Sequence, residues 1–453
     1  MFPKKINLYI LLNSIKICDI LYTYERVIKL RNQKGQRMRF KQGSEYTVRR
    51  IIALLILFFL IFVVFKLITR NFTGNNKSAK NNTPNSSQNS NQNDNTISNN
   101  NLPEEDITFT LATTGDIMCH NTNFQDAYNS STKSYDFSYY FTDIKQYLQE
   151  ADITVGNLET TLSGAKRGYS GYPTFNTPEI LAKNLKAAGF NVVSTANNHC
   201  MDKGYSGIES TIDFLDKADL AHTGTFKSKK DQETILIKNV KGINIAFLSF
   251  TYGTNGIPIP KDKTYAVNLI DKKLIKSQIE LAKNEKPDLI CVSMHWGIEY
   301  QTKANKEQEN LADYLFQNGV DVILGNHSHV PQQMEKRKIK LDDGTTKDGF
   351  VIFSLGNFMA NQNKQYTNDS AILKLEITKH KENGKITIDK VTYTPTYMYK
   401  NTAKSTKKFK ILDINTEIEK YESKAADAVS KSLYNTLVTE RKNIKRIIGD
   451  EIK

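Results

Sequence analysis

Five short polar clusters appear in order along the chain: G-D-I-M at 115–118, G-N-L-E at 156–159, A-N-N-H at 196–199, M-H-W-G at 294–297 and G-N-H-S-H at 325–329. Each follows an apolar, β-branched run, so each brings an Asp, Glu, Asn or His to the end of an expected strand. Carboxylates, amide oxygens and imidazoles are the ligand types of divalent cations. Residues far apart in sequence meet where parallel strands end side by side, so this order reads as a metal site at the rim of a sheet. Four of the seven histidines lie inside the clusters, a concentration that scattered structural histidines rarely give.

Taken singly, the members are ambiguous. Asp116 follows a strand and a glycine, where a helix N-cap or a turn would also use it. Glu159 could bridge two cations or cap a helix. Asn197, Asn198 and His199, followed by Asp202 and Gly204, offer oxygen and nitrogen ligands in one tight turn, although an Asn-rich turn needs no metal. His295 ends an apolar strand beside Trp296 and could be a satisfied core histidine. His327 and His329, two residues apart after Gly325, place two imidazoles close together on an expected extended loop. Together the five clusters favour the site.

The elements that position them form an alternating series. Strands are expected at 107–114, 152–156, 192–196, 244–250, 288–295, 320–325 and 350–355, with helices at 138–150, 178–188, 207–218, 271–283 and 306–318 between them. Strand followed by helix, repeated, argues for an α/β body with largely parallel central strands. The alternating runs 371–378 and 385–394 look antiparallel and form or extend a second sheet. Beyond residue 410, Ile414, Ile418, Tyr421, Ala425, Val429, Leu433 and Leu437 recur at helical spacing, which predicts one or two amphipathic helices docked on the body.

The formal charge of +14 first suggests a polyanion partner. Residues 1–70 hold 14 Lys and Arg against 3 Asp and Glu, and the remaining 383 residues carry 48 against 45. The basic excess therefore belongs to the N-terminal segment, which argues against a nucleic-acid-binding body. Residues 51–68 are an apolar run preceded by Arg49 and Arg50 and interrupted by Lys66 near its far end. That is long enough to span a bilayer, with the preceding cations holding the N-terminus in the cytoplasm and the lysine snorkelling. With no small-residue cleavage site after it, the run reads as an uncleaved anchor. Met38 opens a compact basic lead-in and reads as the native start, with 1–37 an upstream extension assigned in error; a genuine cytoplasmic extension is the other reading. The expected organisation is a cytoplasmic tail at 1–50, the anchor at 51–68, an Asn/Ser-rich flexible tether at 71–103, a globular domain at 104–400 outside the cell membrane, and a helical extension at 401–453. Of the four cysteines, Cys18 falls on the cytoplasmic side, and Cys119, Cys200 and Cys291 leave at least one thiol unpaired.

The ordered motifs G-D-I-M, G-N-L-E, N-N-H-C-M-D-K-G, M-H-W-G-I-E-Y, G-N-H-S-H-V-P-Q and S-L-G-N-F at 354–358, with Y-P-T-F-N-T-P at 172–178, resemble the capsule-synthesis CapA family over about 107–394. That family's domain is similar to the calcineurin-like metallophosphatases. The resemblance implies an α/β, metallophosphatase-like four-layer α/β/β/α sandwich preceded by one transmembrane helix. It implies two divalent metal ions, Mn, Fe or Zn. Asp116 would bind one metal, Glu159 would bridge both, Asn198 and His295 would bind the second, His327 would join them, and His329 would close the first site. His199 would be the nearby acid that protonates a leaving oxygen or steadies the transition state. The metallophosphatase pattern has Asp-x-His on the first strand, whereas Met118 stands two residues after Asp116 and His120 lies at a different spacing.

The resemblance further implies an anchored extracellular component of poly-γ-glutamate or capsule assembly, working beside the membrane subunits of a synthase on an anionic polymer. Two readings stand: a metal-dependent hydrolase acting on the polymer or on another envelope phosphoester, and a non-catalytic export subunit that keeps the metal-site scaffold.

Overall fold

The computed structural model describes residues 105–341, 344–401 and 407–452. The expected tail, anchor at 51–68 and tether lie outside these residues. No helix among the described residues is long and apolar enough to cross a membrane.

The strands, in chain order, are β1 (Ile107–Ile117), β2 (Tyr128–Asn129), β3 (Ser134–Tyr135), β4 (Ile153–Leu158), β5 (Val192–Ser194), β6 (Ala221–Thr223), β7 (Leu236–Val240), β8 (Ile243–Thr251), β9 (Leu289–His295), β10 (Val322–Asn326), β11 (Met334–Lys340), β12 (Thr346–Ile352), β13 (Asn357–Met359), β14 (Asp369–Lys379), β15 (Ile386–Lys400) and β16 (Phe409–Asp413). One mixed sheet runs β16-β15-β14-β1-β4-β5-β6, with β13 pairing to the end of β1. A second runs β11-β12-β10-β9-β8-β7. In each, the strands that carry the motifs are parallel to one another: β1, β4 and β5 in the first, β8, β9 and β10 in the second. Their C-terminal ends therefore share an edge.

Strand alternation builds the layers. Leu289 and Cys291 of β9 join Phe109, Leu111 and Val155 of the first sheet in one apolar layer between the sheets. Ile290, Val292 and Met294, on the opposite face of β9, pack beneath the helices Lys272–Asn284 and Lys306–Gln317. The outer face of the first sheet is covered through Leu148, Leu181, Leu185 and Leu215. Two sheets buried on both faces explain why the motif strands read as near-continuous apolar runs. Asp271 and Asn305 start the two outer helices by accepting backbone N–H bonds.

Two departures from the expected elements matter, and the number of C-terminal helices is now fixed. The run at 138–150 divides into a 3-10 turn, Ser138–Phe141, and a short helix, Lys145–Glu150, because Phe137, Tyr140, Phe141 and Ile144 are all buried. The antiparallel runs extend the sheet of β1, with β14 beside it. The C-terminal segment makes two helices, Ile414–Glu422 and Lys431–Ile448, whose Ile414, Ile418, Leu437, Ile444 and Ile448 join the layer between the sheets.

Candidate metal centre

Two glycines allow the site to close. A Cβ on Gly115 would lie 1.9 Å from the Gly356 carbonyl oxygen, and one on Gly325 would lie 2.0 Å from that of Phe353. No side chain fits at either place, so these motif positions admit only glycine. The segment after β12 can then leave the second sheet, cross against β1, and add β13 to the first sheet with Asn357 opposite Asp116. Asp116 lies within β1 rather than in the following loop, and its N–H bonds the Gly356 carbonyl at 2.8 Å.

Six of the expected residues, Asp116, Glu159, Asn198, His295, His327 and His329, converge at this edge and are each no more than 3 % exposed. His295 Nε2 lies 2.8 Å from Asn198 Oδ1 and 3.5 Å from Glu159 Oε1. His329 Nδ1 lies 3.2 Å from Asp116 Oδ2, and its Nε2 is 3.9 Å from Glu159 Oε1. Asp116, Glu159 and His295 offer ligand atoms within 4.8 Å of one another, as do Glu159, His327 and His329. Glu159 belongs to both groups. The loop carrying His327 and His329 is not extended: both have left-handed backbones, φ 94° and 58°, which turn successive imidazoles toward the same edge.

The donor set fits cations. Both Glu159 oxygens and His327 Nδ1 are buried without a hydrogen-bond partner. Among the described residues neither Asp116 nor Glu159 has a lysine or arginine partner; the ionisable groups of opposite sign near them are imidazoles. Two neighbouring buried acids without counter-charge are costly, and a divalent cation removes that cost. Burial, then the charge of Asp116, pushes the Glu159 carboxyl well above its ordinary range. Burial, then His329 and His199, holds His295 well below the ordinary imidazole value, and burial with His295 and His329 lowers His327 to about 2. These imidazoles are neutral, as metal ligation requires.

His199 stands apart from the ligand groups. Its Nδ1 meets Asp202 Oδ2 at 2.7 Å, and the same oxygen accepts the Phe175 N–H at 2.6 Å. Phe175 packs edge-on against the imidazole, ring centres 4.6 Å apart. Tyr252, 49 % exposed, lies 4.5 Å from the His327 ring, and Tyr300, 39 % exposed, lies 6.2 Å from that of His329. The buried donors therefore have an aromatic rim open to solvent.

Several supporting residues escaped sequence reasoning. Asn157 donates to Asp116 Oδ1 at 2.8 Å while its own oxygen accepts from Ser194 Oγ at 2.8 Å. Asn357 Oδ1 lies 3.0 Å from His329 Nδ1. Asn255 Oδ1 accepts from Asn198 Nδ2 at 3.1 Å, which aims the Asn198 oxygen at His295. Asn157 and Asn357 sit inside quoted motifs, so their signal was present, whereas Ser194 and Asn255 carry none. His120 is outside both ligand groups. Cys119, Cys200 and Cys291 are buried free thiols.

Fold and site thus define an α/β protein with a buried, cation-ready centre at the shared edge of two sheets. The family described as bacterial capsule synthesis protein PGA_cap matches residues 110–362, and the chain belongs to that family. It is 33 % identical over 265 residues to the capsule biosynthesis protein CapA of Bacillus anthracis, covering 57 % of this chain and 61 % of that one. It is 30 % identical over 243 residues to the PGA biosynthesis protein CapA of Bacillus subtilis (strain 168), covering 53 % and 61 %. The matched region spans about three-fifths of each relative's length. Among solved structures, a NAD nucleotidase of Haemophilus influenzae is similar at 12 % identity and TM-score 0.41, over 76 % of this chain and 61 % of that one. A phosphatase of Mycoplasma pneumoniae is similar at 15 % identity and TM-score 0.37, over 64 % and 93 %. Likenesses this slight establish neither a shared fold nor a shared chemistry.

Proposed function

We propose that this chain is a membrane-anchored, extracellular component of capsule or poly-γ-glutamate synthesis or export, whose body uses a metallophosphatase-like centre to hydrolyse a phosphoester or a linkage of the polymer. Family membership supports the process. The observation that carries the chemistry is Glu159, whose two buried, unpartnered oxygens lie among Asp116, His295, His327 and His329. Those residues and Asn198 would hold two divalent cations, Mn, Fe or Zn. When bound, the cations supply Lewis-acid activation of water and neutralise charge on the group under attack.

The chain's own residues supply the rest. Asp202 fixes the His199 ring through Nδ1, which leaves Nε2 as the working nitrogen. Protonated His199 gives its Nε2 proton to the leaving oxygen and becomes neutral, with Nδ1–H still on Asp202. Asn157 and Asn357 hold Asp116 and His329 in register. The anchor at 51–68 would set this body beside the membrane subunits of a synthase, where it meets an anionic polymer.

The test is surface polymer in cells that carry the full chain, His199→Ala, or a chain lacking 51–68, at matched protein level, together with metal analysis of each purified protein. The proposal expects metal in all three and polymer in the first alone. Full polymer with His199→Ala would leave an assembly subunit without catalysis. Protease treatment of intact cells should digest the body and spare the N-terminal tail.

A further inference from the structure

His120 lies beside the donor cluster and takes no part in it. It is half-buried, four residues beyond Asp116, and its ring packs edge-on against Phe175 with centres 5.3 Å apart. Phe175 packs edge-on against His199 in the same way, so the two histidines flank one phenylalanine. The backbone holds this position, because the His120 N–H donates to Asn123 Oδ1 at 3.0 Å.

The state of the ring follows from its partner. The backbone N–H of Asn361 donates to His120 Nδ1 at 3.2 Å. A backbone amide cannot accept, so Nδ1 must be the unprotonated nitrogen, and the neutral imidazole carries its proton on Nε2. Burial, then the charges of His329 and His199, lowers its pKa to about 4, which keeps it neutral near pH 7 and places it within electrostatic reach of both. Among the described residues nothing accepts a hydrogen bond from Nε2–H.

The neighbourhood gives that donor a use. Asp116, Glu159 and the Asn198 oxygen are acceptors turned toward the ligand cluster, so a substrate's anionic oxygen finds protein-borne repulsion there. Donors beside the cations are what such a group needs. We infer that His120 Nε2–H binds an anionic oxygen of the substrate, phosphoryl or carboxylate, next to the metal centre, and so helps to set substrate specificity. The inference rests on the metal-site reading proposed above.

The experiment uses the full-length, metal-loaded protein with calorimetric titration of two probes, inorganic phosphate and a γ-linked glutamate oligomer. His120→Phe keeps the ring shape and removes both nitrogens; it is expected to weaken binding about tenfold with metal content unchanged. His120→Gln retains an N–H donor and should stay within about threefold of wild type. Weakening towards phosphate alone assigns a phosphoryl group, and weakening towards the oligomer alone assigns a carboxylate. Undiminished binding by His120→Phe, parallel loss of metal, or a metal-loaded wild type that binds neither probe would each overturn the inference. Should His120→Phe fail to fold, the wild-type chain labelled with 15N-histidine decides. Nε2 of His120 should carry the proton and its resonance should move on adding phosphate or the γ-linked glutamate oligomer; a proton on Nδ1, or no movement with either probe, refutes the assignment. A wild type that holds no metal would sink the proposed function and this inference with it, whereas a metal-loaded wild type whose binding is indifferent to His120 sinks this inference alone.

Discussion

His295 Nε2 lies 2.8 Å from the amide oxygen of Asn198, a residue 97 positions earlier and attached to the other sheet. Their meeting depends on β5 and β9 ending at one shared edge. Two neutral ligand atoms facing each other beside a buried, unpartnered carboxylate is the arrangement expected of residues shaped to surround a cation.

Removing a ligand should therefore empty the site without unfolding the protein. His295→Ala and His327→Ala each take an imidazole from the edge and leave the apolar layers intact. Each is expected to lower metal affinity by about 10–100-fold or more, read as bound metal per chain, while circular dichroism retains a cooperative melt. Normal metal content in both would refute the ligand assignment.

Glu159 makes a prediction about pH. Its folded pKa is raised above the ordinary value of 4.5, so the folded chain keeps a proton that the unfolded chain has lost, and metal-free stability falls as pH rises above about 4.5. His295 and His327 act in the opposite sense: their folded pKa values lie below the ordinary 6.5, so stability falls as pH drops below about 6.5. Metal-free Glu159→Gln should thus melt higher than wild type at pH 8, by roughly 2 °C or more, with the gap closing toward pH 4.5. Saturating metal should reverse the order, since it stabilises the chain that binds it. Identical metal-free melting at pH 8 would contradict the account.

The His199–Asp202 contact separates catalysis from metal binding. His199→Ala is expected to retain metal and lower turnover by about 100-fold or more. Asp202→Asn preserves shape but removes the charge that steadies the imidazolium, so turnover should fall and the alkaline limb of its pH profile should move to lower pH. A turnover loss with an unmoved pH profile would reduce Asp202 to a structural role.

Gly325 tests the strand crossing. With a Cβ only 2.0 Å from the Phe353 carbonyl oxygen, Gly325→Ala must push β10 and the segment leaving β12 apart. Stability should fall by about 1–3 kcal/mol, and metal affinity should fall with it because His327 and His329 follow directly. Denaturant unfolding and metal titration would check both, and wild-type values in each would disprove the crowding.

The sequence by itself determined the parts that depend on local pattern. Apolar, β-branched runs ending in a polar cluster marked β1, β4, β5, β9 and β10, because a strand buried on both faces must be apolar along its length. The donor residues Asp116, Glu159, Asn198, His295, His327 and His329 were legible from residue type, since few side chains can ligate a cation. Only the tertiary structure decided what depends on pairing between distant strands. Nothing local tells β14 and β15 to extend the sheet of β1, for an alternating run suits either sheet. Nothing local turns Asn157 toward Asp116 or brings Asn357 across from the second sheet, because those contacts follow from register and from two glycines whose crowding neighbours, Gly356 and Phe353, lie on other segments of the chain. The left-handed backbones at His327 and His329 belong to the same class. Such conformations cost energy in isolation and persist where surrounding packing fixes them, so the fold, and not the local sequence, aims those imidazoles.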